Sequence, residues 1–253
     1  MCIRDRFNNV FDGSGLGMGA TNCTVCRNTV ENNTLRGIWV DYESTANSIY
    51  QNNIVGNRIQ AIAGFPNSWD NGFEGNFWGN YSGLDANFDG IDDVAHEIDV
   101  NNTDHYPLLG RFSNFETFKG QRVEVVSNSS INDFRFYANN ATLKIKLGAN
   151  GSQTYGFCRI NIPHGLMIAP YNITVKNSQL VCVNDTLHDD GYSRWMYLSY
   201  EYSADEIIIN GQVPPELSPQ ELSFTLIAVA AAVVAVVCII ILVYLRRVRK
   251  SKK

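Results

Sequence analysis

The sequence is poor in histidine and, outside its last residues, in positive charge. Its four histidines, His96, His105, His164 and His188, are far apart and match no metal-ligand spacing, which argues against a zinc or copper centre. Six of the 20 Lys and Arg residues lie at 246–253, which leaves 14 upstream against 25 Asp and Glu residues. An acidic body of this kind argues against a nucleic-acid partner.

One long stretch has no charge at all. Residues 224–244 span 21 positions without Asp, Glu, Lys or Arg, which is enough for a helix to cross a hydrocarbon core of about 30 Å. Basic residues follow directly, so the positive-inside rule places them in the cytoplasm and the rest of the chain outside. The sequence therefore predicts a short linker at 212–221, a transmembrane helix at 222–245, a cytoplasmic tail at 246–253 and a single-pass location in a cell membrane.

An external location agrees with nine N-x-S/T sequences, which accept glycans where a cell has the glycosylation machinery. These candidates are Asn22, Asn32, Asn80, Asn101, Asn128, Asn140, Asn150, Asn172 and Asn184. They predict exposed asparagines in a glycoprotein.

The first six residues lack two features that the rest of the chain leads us to expect. They contain no apolar run of the kind that a secretory signal needs, and they do not follow the repeat that begins at Phe7. We therefore expect residues 1–6 to be a non-native start and further repeats to precede residue 7.

From residue 7 to residue 78 the sequence repeats every 24 residues. The aligned columns include Asn28/Asn52/Asn76, Asn9/Asn33/Asn57 and Ile38/Ile62. Short β-branched runs separated by Asn and Gly at this period predict a parallel β-helix, with apolar residues stacked inward and asparagine ladders at the bends. A leucine-rich repeat has a similar period but would show regular leucines. Residues 7–80 are therefore assigned to β-helix coils.

Aromatic residues become frequent where the repeat stops. They are Phe65, Trp69, Phe73, Phe77 and Trp78. The end of a β-helix must be closed against water, so we expect these side chains to pack in the interior. An aromatic platform for sugar binding is the alternative.

Residues 81–112 form an Asp-rich junction. Asp85, Asn87, Asp89 and Asp93 place oxygen-bearing side chains at positions 1, 3, 5 and 9 of a loop, with Gly90 at position 6. This spacing and the turn-forming glycine are typical of calcium loops.

The loop departs from a full EF-hand at its end. Position 12 is His96, and Glu97 comes one residue late, so a calcium loop in a β context fits better than a helical EF-hand. The carbonyl of Ile91 completes the predicted Ca²⁺ ligand set. The alternative is an acidic turn without an ion, because Asp, Asn and Gly also form ordinary turns.

Residues 115–211 contain eight short runs rich in β-branched and aromatic residues, separated by Asn, Gly, Ser and Asp clusters. This pattern predicts an antiparallel β-sandwich. Cys158 and Cys182 lie on two of its strands, and two interpretations stay open: a disulfide, or separate buried thiols. Cys23 and Cys26 are interpreted as part of a coil wall, because a redox or metal motif would need a different context.

The sequence of the junction resembles that of a known group of proteins. The sequence N-F-W-G-N-Y-S-G-L-D-A-N-F-D-G-I-D-D from residue 76, followed by N-N-T-D-H-Y-P-L from residue 101, resembles archaeal surface proteins built on NosD-type right-handed β-helix repeats. That set is also similar to carbohydrate-binding and sugar-hydrolase β-helices. The resemblance covers about residues 7–110 and extends more weakly through G-F-C-R-I-N-I-P at 156–163 and the membrane anchor. The NosD name implies copper-site assembly, but the repeat is what matches here.

The resemblance implies an all-β fold: the C-terminal coils of a right-handed parallel β-helix, then a β-sandwich and one transmembrane helix. It also implies calcium at Asp85, Asn87, Asp89 and Asp93. His96 and Glu97 leave the last ligand unassigned.

No catalytic constellation is evident. Glycoside hydrolases need two carboxylates facing one sugar, and the acids of the coils do not align in paired columns. These acids are Asp12, Glu31, Asp41, Glu43, Asp70 and Glu74. We therefore expect a protein of cell-surface binding or adhesion, with surface glycans or other surface proteins as partners. The alternative is the C-terminal part of a polysaccharide lyase or glycoside hydrolase whose catalytic coils precede residue 7.

Overall fold

The computed structural model describes residues 2–3, 6–7, 13–148 and 154–215. The chain divides into two compact units, Met1–Val213 and Pro214–Lys253, and the architecture below belongs to the first. The predicted transmembrane helix, the basic tail, the linker beyond residue 215 and Asn150 lie outside the described residues. In the part that is described, no helix is long and apolar enough to span a membrane.

Short strands form the coils. They are β1 (Cys2–Ile3), β2 (Arg6–Phe7), β3 (Ser14–Met18), β4 (Thr24–Cys26), β5 (Thr29–Glu31), β6 (Arg36–Val40), β7 (Ser48–Tyr50), β8 (Asn53–Val55), β9 (Ile59–Ala63) and β10 (Phe77–Trp78). They pair in three parallel sheets, ordered β1-β4-β7, β2-β5-β8-β10 and β3-β6-β9. Cys2, Ile3 and Arg6 thus occupy strand positions, although they lie outside the predicted repeat. The all-β class and the parallel coil are confirmed, and the hand of the coil stays a prediction.

In two of the three sheets the 24-residue repeat holds from Thr24 onward, whereas the earlier strands pair at shorter intervals, as Phe7 does with Val30. Val30 pairs with Ile54, and both side chains are fully buried. In the third sheet Ile38 pairs with Ala61, so the predicted alignment of Ile38 with Ile62 is wrong. The turn before β9 is one residue shorter than the turn before β6. Because side chains alternate along a strand, Ile62 points outward and is 41% exposed.

The predicted asparagine ladder is confirmed. Asn28 donates its Nδ2 to Oδ1 of Asn52 at 2.8 Å, and Asn52 donates to Asn76 at 2.9 Å. The ladder ends on Asp104, whose carboxylate accepts the backbone N–H of Asn76 at 2.7 Å. All four residues are buried. The ladder therefore satisfies backbone groups that a buried corner would otherwise leave unpaired.

Two further ladders run along other corners. Asn33 donates to Asn57 at 2.7 Å, as the second predicted column requires. Asn47 donates to Asn67 at 2.9 Å, and the backbone N–H of Asn67 donates to Asn102 at 2.9 Å. This last ladder was not predicted, because Asn47 and Asn67 are only 20 residues apart.

The aromatic residues at the end of the repeat divide into two groups. Trp69 and Trp78 are almost fully buried, and their rings lie 5.8 Å apart, so they close the coil as predicted. Phe77 is half-buried. Phe65 and Phe73 are 47% and 73% exposed. The packing prediction is therefore wrong for these two, which lie on turns whose side chains face away from the interior.

A hairpin of β11 (His96–Asp99) and β12 (Asn102–Asp104) precedes an antiparallel sandwich. The sandwich strands are β13 (Arg111–Glu116), β14 (Arg122–Ser127), β15 (Ser130–Tyr137), β16 (Thr142–Gly148), β17 (Tyr155–Pro163), β18 (Ile168–Lys176), β19 (Leu180–Asp189), β20 (Ser193–Glu201) and β21 (Glu206–Gln212). Its sheets are ordered β13-β14-β17-β20-β19 and β15-β16-β21-β18. All eight predicted runs are strands. β13 was missed, and it begins before the predicted start of the sandwich.

The disulfide interpretation is corrected. Cys158 and Cys182 are free thiols, on β17 and β19 respectively, and β20 lies between these strands. Two inter-strand steps amount to about 10 Å, which exceeds the roughly 7 Å that a disulfide can bridge between Cα atoms. Cys23 and Cys26 are also free.

Candidate calcium loop and junction cleft

The residues predicted to hold calcium lie in one closed loop between β10 and β11. Asp85 accepts the backbone N–H of Asp89 at 2.9 Å and that of Gly90 at 3.1 Å. Asp89 accepts the N–H of Ile91 at 2.8 Å. Gly90 has a φ of 78°, which glycine adopts without strain. These bonds turn the carboxylates toward the inside of the loop.

The other two predicted ligands complete the ring. Asp93 accepts the N–H of Ala86 at 2.7 Å, and Asn87 donates its amide to Asp89 at 3.1 Å. Among the described residues, no three His, Cys, Asp or Glu side chains already converge as a metal group. The loop instead combines carboxylates with one amide and one carbonyl, all of them the hard oxygen donors that calcium prefers.

The twelfth loop position takes no part in this ring. His96 lies against Trp78 and Tyr81, with ring centroids 4.4 and 4.9 Å away, and burial lowers its pKa. Glu97 is exposed on β11. The loop thus has the β context that the sequence predicted.

The loop is joined to the coil end through Leu108, which forms a bridge with both Ile91 and Phe77, and it touches the sandwich directly. Its Gly90 carbonyl accepts the N–H of Leu109 at 3.1 Å, and a Cβ at Gly90 would lie 3.2 Å from Phe157 and from Arg159. Burial, followed by the nearby carboxylate of Asp89, raises the pKa of Asp85. The hydrogen bonds from Asp89 and Gly90 offset this rise only in part, and a nearby cation would further stabilise the charged form of such a carboxylate.

Ion pairs also join the coils to the sandwich. Arg159 pairs with Glu74, and their side chains are only 8% and 4% exposed. Arg27 pairs with Glu124. Gln51 links the two pairs, because it accepts from Arg27 at 3.0 Å and donates to Glu74 at 2.6 Å. Burial raises the pKa of Glu124 more than Arg27 lowers it.

A cleft of about 700 Å³ opens beside these pairs. Its lining includes Asn87 and Asp89 of the loop, Phe73 and Tyr106 of the coil end, and Trp195 of the sandwich. The guanidinium of Arg159 lies 4.1 Å from the Trp195 ring. Two buried atoms of lining residues have no hydrogen-bond partner among the described residues; they are Arg159 Nε and Asp92 Oδ2.

An oriented histidine lies at the rim of the cleft. Asp70 accepts the backbone N–H of His105 at 3.2 Å, and the His105 Nδ1 lies 3.0 Å from the same oxygen. We assign the Nδ1 proton to this contact, which leaves Nε2 as an acceptor. The His105 side chain is 65% exposed, so this nitrogen is accessible.

The glycosylation candidates differ in exposure. Asn22, Asn32, Asn80, Asn101, Asn140 and Asn172 are exposed, whereas Asn128 and Asn184 are half-buried. Asn128 is held in the sandwich, since its Oδ1 accepts the N–H of Phe157 at 2.8 Å. Among the described candidates, none lines the cleft.

Comparison with known proteins gives a partial similarity. No family model and no solved structure matches the chain. The chain is similar to a probable ABC transporter binding protein NosD of Stutzerimonas stutzeri, with 38% identity over 80 residues. The similarity covers 29% of this chain and 18% of that protein, so the chain spans less than a fifth of that relative. Together with the parallel coils, it supports a NosD-like β-helix, and the archaeal source stays a prediction.

Sequence reasoning found the loop and missed the cleft. The loop ligands lie within nine consecutive positions, so their spacing is visible in the sequence. The ion pairs join residues 85 and 97 positions apart, and no periodic pattern connects them. Glu74 and Arg27 carried a weaker signal, because each is a charged residue beside a column of buried asparagines.

Proposed function

We propose that the chain belongs to a membrane-anchored extracellular β-helix protein that is stabilised by calcium and acts in cell-surface binding or adhesion. Surface glycans or other surface proteins are its proposed partners. The observation that carries the proposal is the position of the 85–93 loop, which has the oxygen order of a calcium loop, is joined to the coil end through Leu108 and contacts the sandwich.

The residues fit the ion. Asp85, Asn87, Asp89 and Asp93, with the Ile91 carbonyl, would hold Ca²⁺, which takes six to eight oxygen ligands. Bound calcium supplies two positive charges where four carboxylates lie within nine residues. The loop's own backbone bonds keep those carboxylates together, so the ion would bind the folded state and stabilise the joint between coil and sandwich.

The calcium proposal is tested by the melting temperature of the full chain in calcium, magnesium and chelator. Extracellular calcium modules bind at about 0.1 to 1 mM. With a dissociation constant of about 0.1 mM, calcium at 100 times that concentration stabilises the folded state by about 2.7 kcal/mol. Magnesium should do less, because its tight octahedral shell suits this loop poorly.

Two variants complete that test. Asp89→Ala should abolish the response to calcium. Asp41→Asn changes an exposed aspartate of the coils and should keep the response. Equal melting temperatures in calcium and chelator, or a full response in Asp89→Ala, would reduce the loop to an ordinary acidic turn.

The membrane topology is tested separately. Protease added to intact cells should remove the coils and the sandwich, because both are proposed to lie outside. Survival of the Cys158 region until the cells are lysed would overturn this orientation.

One observation favours a second function. His105 is oriented by Asp70 and exposes Nε2 at the cleft, which is the arrangement of a general base. A carbohydrate-active enzyme is therefore the alternative. Incubation with neutral and acidic polysaccharides should release no new reducing or unsaturated ends if the protein only binds. Release that Asp70→Asn abolishes would establish the enzyme instead.

A further inference from the structure

We propose that the calcium of the 85–93 loop binds a ligand as well as stabilising the fold, and that the junction cleft holds a neutral oligosaccharide whose adjacent hydroxyls complete the calcium shell. This inference rests on the calcium site proposed above. It adds the location of the binding site, the chemical class of the ligand and the dependence of binding on calcium.

The first step concerns the number of ligands. The loop offers five groups, and calcium takes six to eight oxygens. The residues that could have supplied the twelfth position are elsewhere, because His96 packs against Trp78 and Tyr81 and Glu97 is exposed on β11. If each of the five groups contributes one oxygen, at least one further oxygen must come from outside the chain.

The second step concerns the direction of the open positions. Asn87, Asp89, Ile91 and Asp93 all line the cleft of about 700 Å³. Asp85 faces the other side of the loop, where it lines a second cleft of about 640 Å³ together with Tyr197. Because four of the five groups line the junction cleft and only Asp85 lines the second one, we infer that the external ligand approaches from the junction cleft, whose volume is in the range of small-molecule sites.

The third step concerns the walls. Phe73 is 73% exposed, Tyr106 is 39% exposed and Trp195 is half-buried, so aromatic rings remain available at the cleft. The amide of Asn71 lies on the same wall. A pyranose has an apolar ring face and a polar edge, and an aromatic wall beside amides and carboxylates is complementary to both.

An unpartnered buried donor lies in the wall of the cleft. Arg159 is 7% exposed and its Nε donor has no partner in the described structure. Buried polar groups are nearly always satisfied, so such an exception calls for a ligand or another specific cause. A sugar hydroxyl can accept a hydrogen bond from this donor. The unpartnered Oδ2 of Asp92, by contrast, lies directly against Gly83, on a different cleft.

Charge selects a neutral sugar over an acidic one. Besides the loop carboxylates, Asp190 also lines the cleft, and the cationic Arg159 is already paired with Glu74. A uronate would meet this negative field, whereas a neutral sugar would not. The described glycosylation candidates leave the cleft uncovered.

The test measures binding of neutral hexasaccharides (mannohexaose and maltohexaose) and of hexagalacturonate to the full chain by calorimetry, in calcium and in chelator. At least one neutral sugar should bind in calcium and at least tenfold more weakly in chelator. Phe73→Ala should weaken binding at least fivefold while the calcium-induced rise in melting temperature is unchanged. Phe65→Ala, an exposed aromatic outside the cleft lining, is the matched control and should bind like the wild type.

Three outcomes would overturn the inference: equal sugar binding in calcium and chelator, equal binding by Phe73→Ala and wild type, or preference for hexagalacturonate. Calcium stabilisation without binding of any hexasaccharide would also reject it, and would leave the calcium proposal intact. No calcium stabilisation would reject the calcium proposal itself, so the two failures are distinguishable.

Discussion

The coils and the sandwich are both built from strands, but they are held together differently. The coils bury a series of asparagines: Asn28, Asn33, Asn47, Asn52, Asn53, Asn57 and Asn76. Among the described buried residues of the sandwich there is no asparagine, and its core is a cluster of aliphatic side chains such as Val125, Ile145 and Ile160. The first region is organised by polar columns and the second by apolar volume.

The cause lies in where each chain path turns. Each coil turns at corners that the next coil covers. The backbone N–H and C=O groups at these corners are therefore buried and need side-chain partners. An antiparallel hairpin turns at the end of the sheet, where water satisfies those groups. Stacking parallel coils therefore requires a column of buried side-chain amides. The same column fixes the register of the coils.

The largest expected effect is at the junction between the two regions. Arg159→Leu leaves the Glu74 carboxylate buried without its partner, and breaking a buried pair in this way costs about 3–5 kcal/mol. We expect hydrogen exchange to show that the coil and the sandwich then open separately, whereas in the wild type they should open together.

The control for this prediction is an exposed pair within the sandwich. Arg135 pairs with Asp133 at 2.8 Å and is 62% exposed, so solvent screens this pair and Arg135→Leu should change stability far less than Arg159→Leu. The double variant Glu74→Gln, Arg159→Leu should be less destabilised than the sum of its single changes. Similar small effects for Arg159→Leu and Arg135→Leu would contradict the role of the junction pair.

The next effect compares one buried polar side chain in each region. Asn52 accepts from Asn28 at 2.8 Å and donates to Val25, Tyr50 and Asn76 at 2.9 to 3.0 Å. Asn52→Ala leaves several buried groups unpaired, each costing about 1–3 kcal/mol, so we expect a total loss of about 2–4 kcal/mol.

The matched change in the sandwich is Thr142→Ala. Thr142 is 5% exposed, and its hydroxyl donates to Asn210 at 2.9 Å. Losing one neutral hydrogen bond costs about 1 kcal/mol. Chemical denaturation of both variants checks the difference, and equal losses would remove the distinction between polar columns and an apolar core.

The same distinction explains what the sequence could reveal. Asn28, Asn52 and Asn76 recur at a fixed interval, so their ladder could be predicted, as could the alternating strands of the sandwich. Ile62 was misplaced because a turn shorter by one residue reverses the face of β9 without changing its composition. Asn67 escaped notice because its coil is four residues shorter than the period.

The candidate site shows the same limit. The loop was predictable because nine consecutive positions contain the residues proposed to bind calcium. The cleft brings together residues from the coil end, the loop and β20, and only the folded chain makes Phe73, Asp89 and Trp195 neighbours of one space. The interpretation of Phe73 as core followed from composition, which does not distinguish an inward turn from an outward one.

A last comparison concerns pH and the residue that ends the longest ladder. Burial raises the pKa of Asp104 to about 7, although Asn76, Trp78 and Tyr106 donate hydrogen bonds to it. In the unfolded chain an aspartate has a pKa of about 3.9. As pH rises from about 4 to 7, the unfolded state loses this proton first, so the free energy of unfolding contributed by Asp104 falls over that window.

Asp104→Asn isolates this contribution, because an amide still accepts from Asn76 and Trp78 but cannot ionise. The variant should lose about 1 kcal/mol at pH 5, since its NH₂ group faces the N–H of Tyr106 where a carboxylate oxygen accepted it. Between pH 5 and 7 the wild type should lose stability relative to the variant.

His96 acts in the opposite direction, because burial lowers its pKa and its stabilisation is lost as pH falls. His96 is present in both proteins, so its contribution cancels in the comparison. Denaturation at pH 5, 6, 7 and 8 measures the difference, and parallel curves would show that Asp104 ionises alike in the folded and unfolded chain. In that event the donors of Asn76 and Trp78 offset the effect of burial, and the ladder ends on a charge that the coil fully compensates.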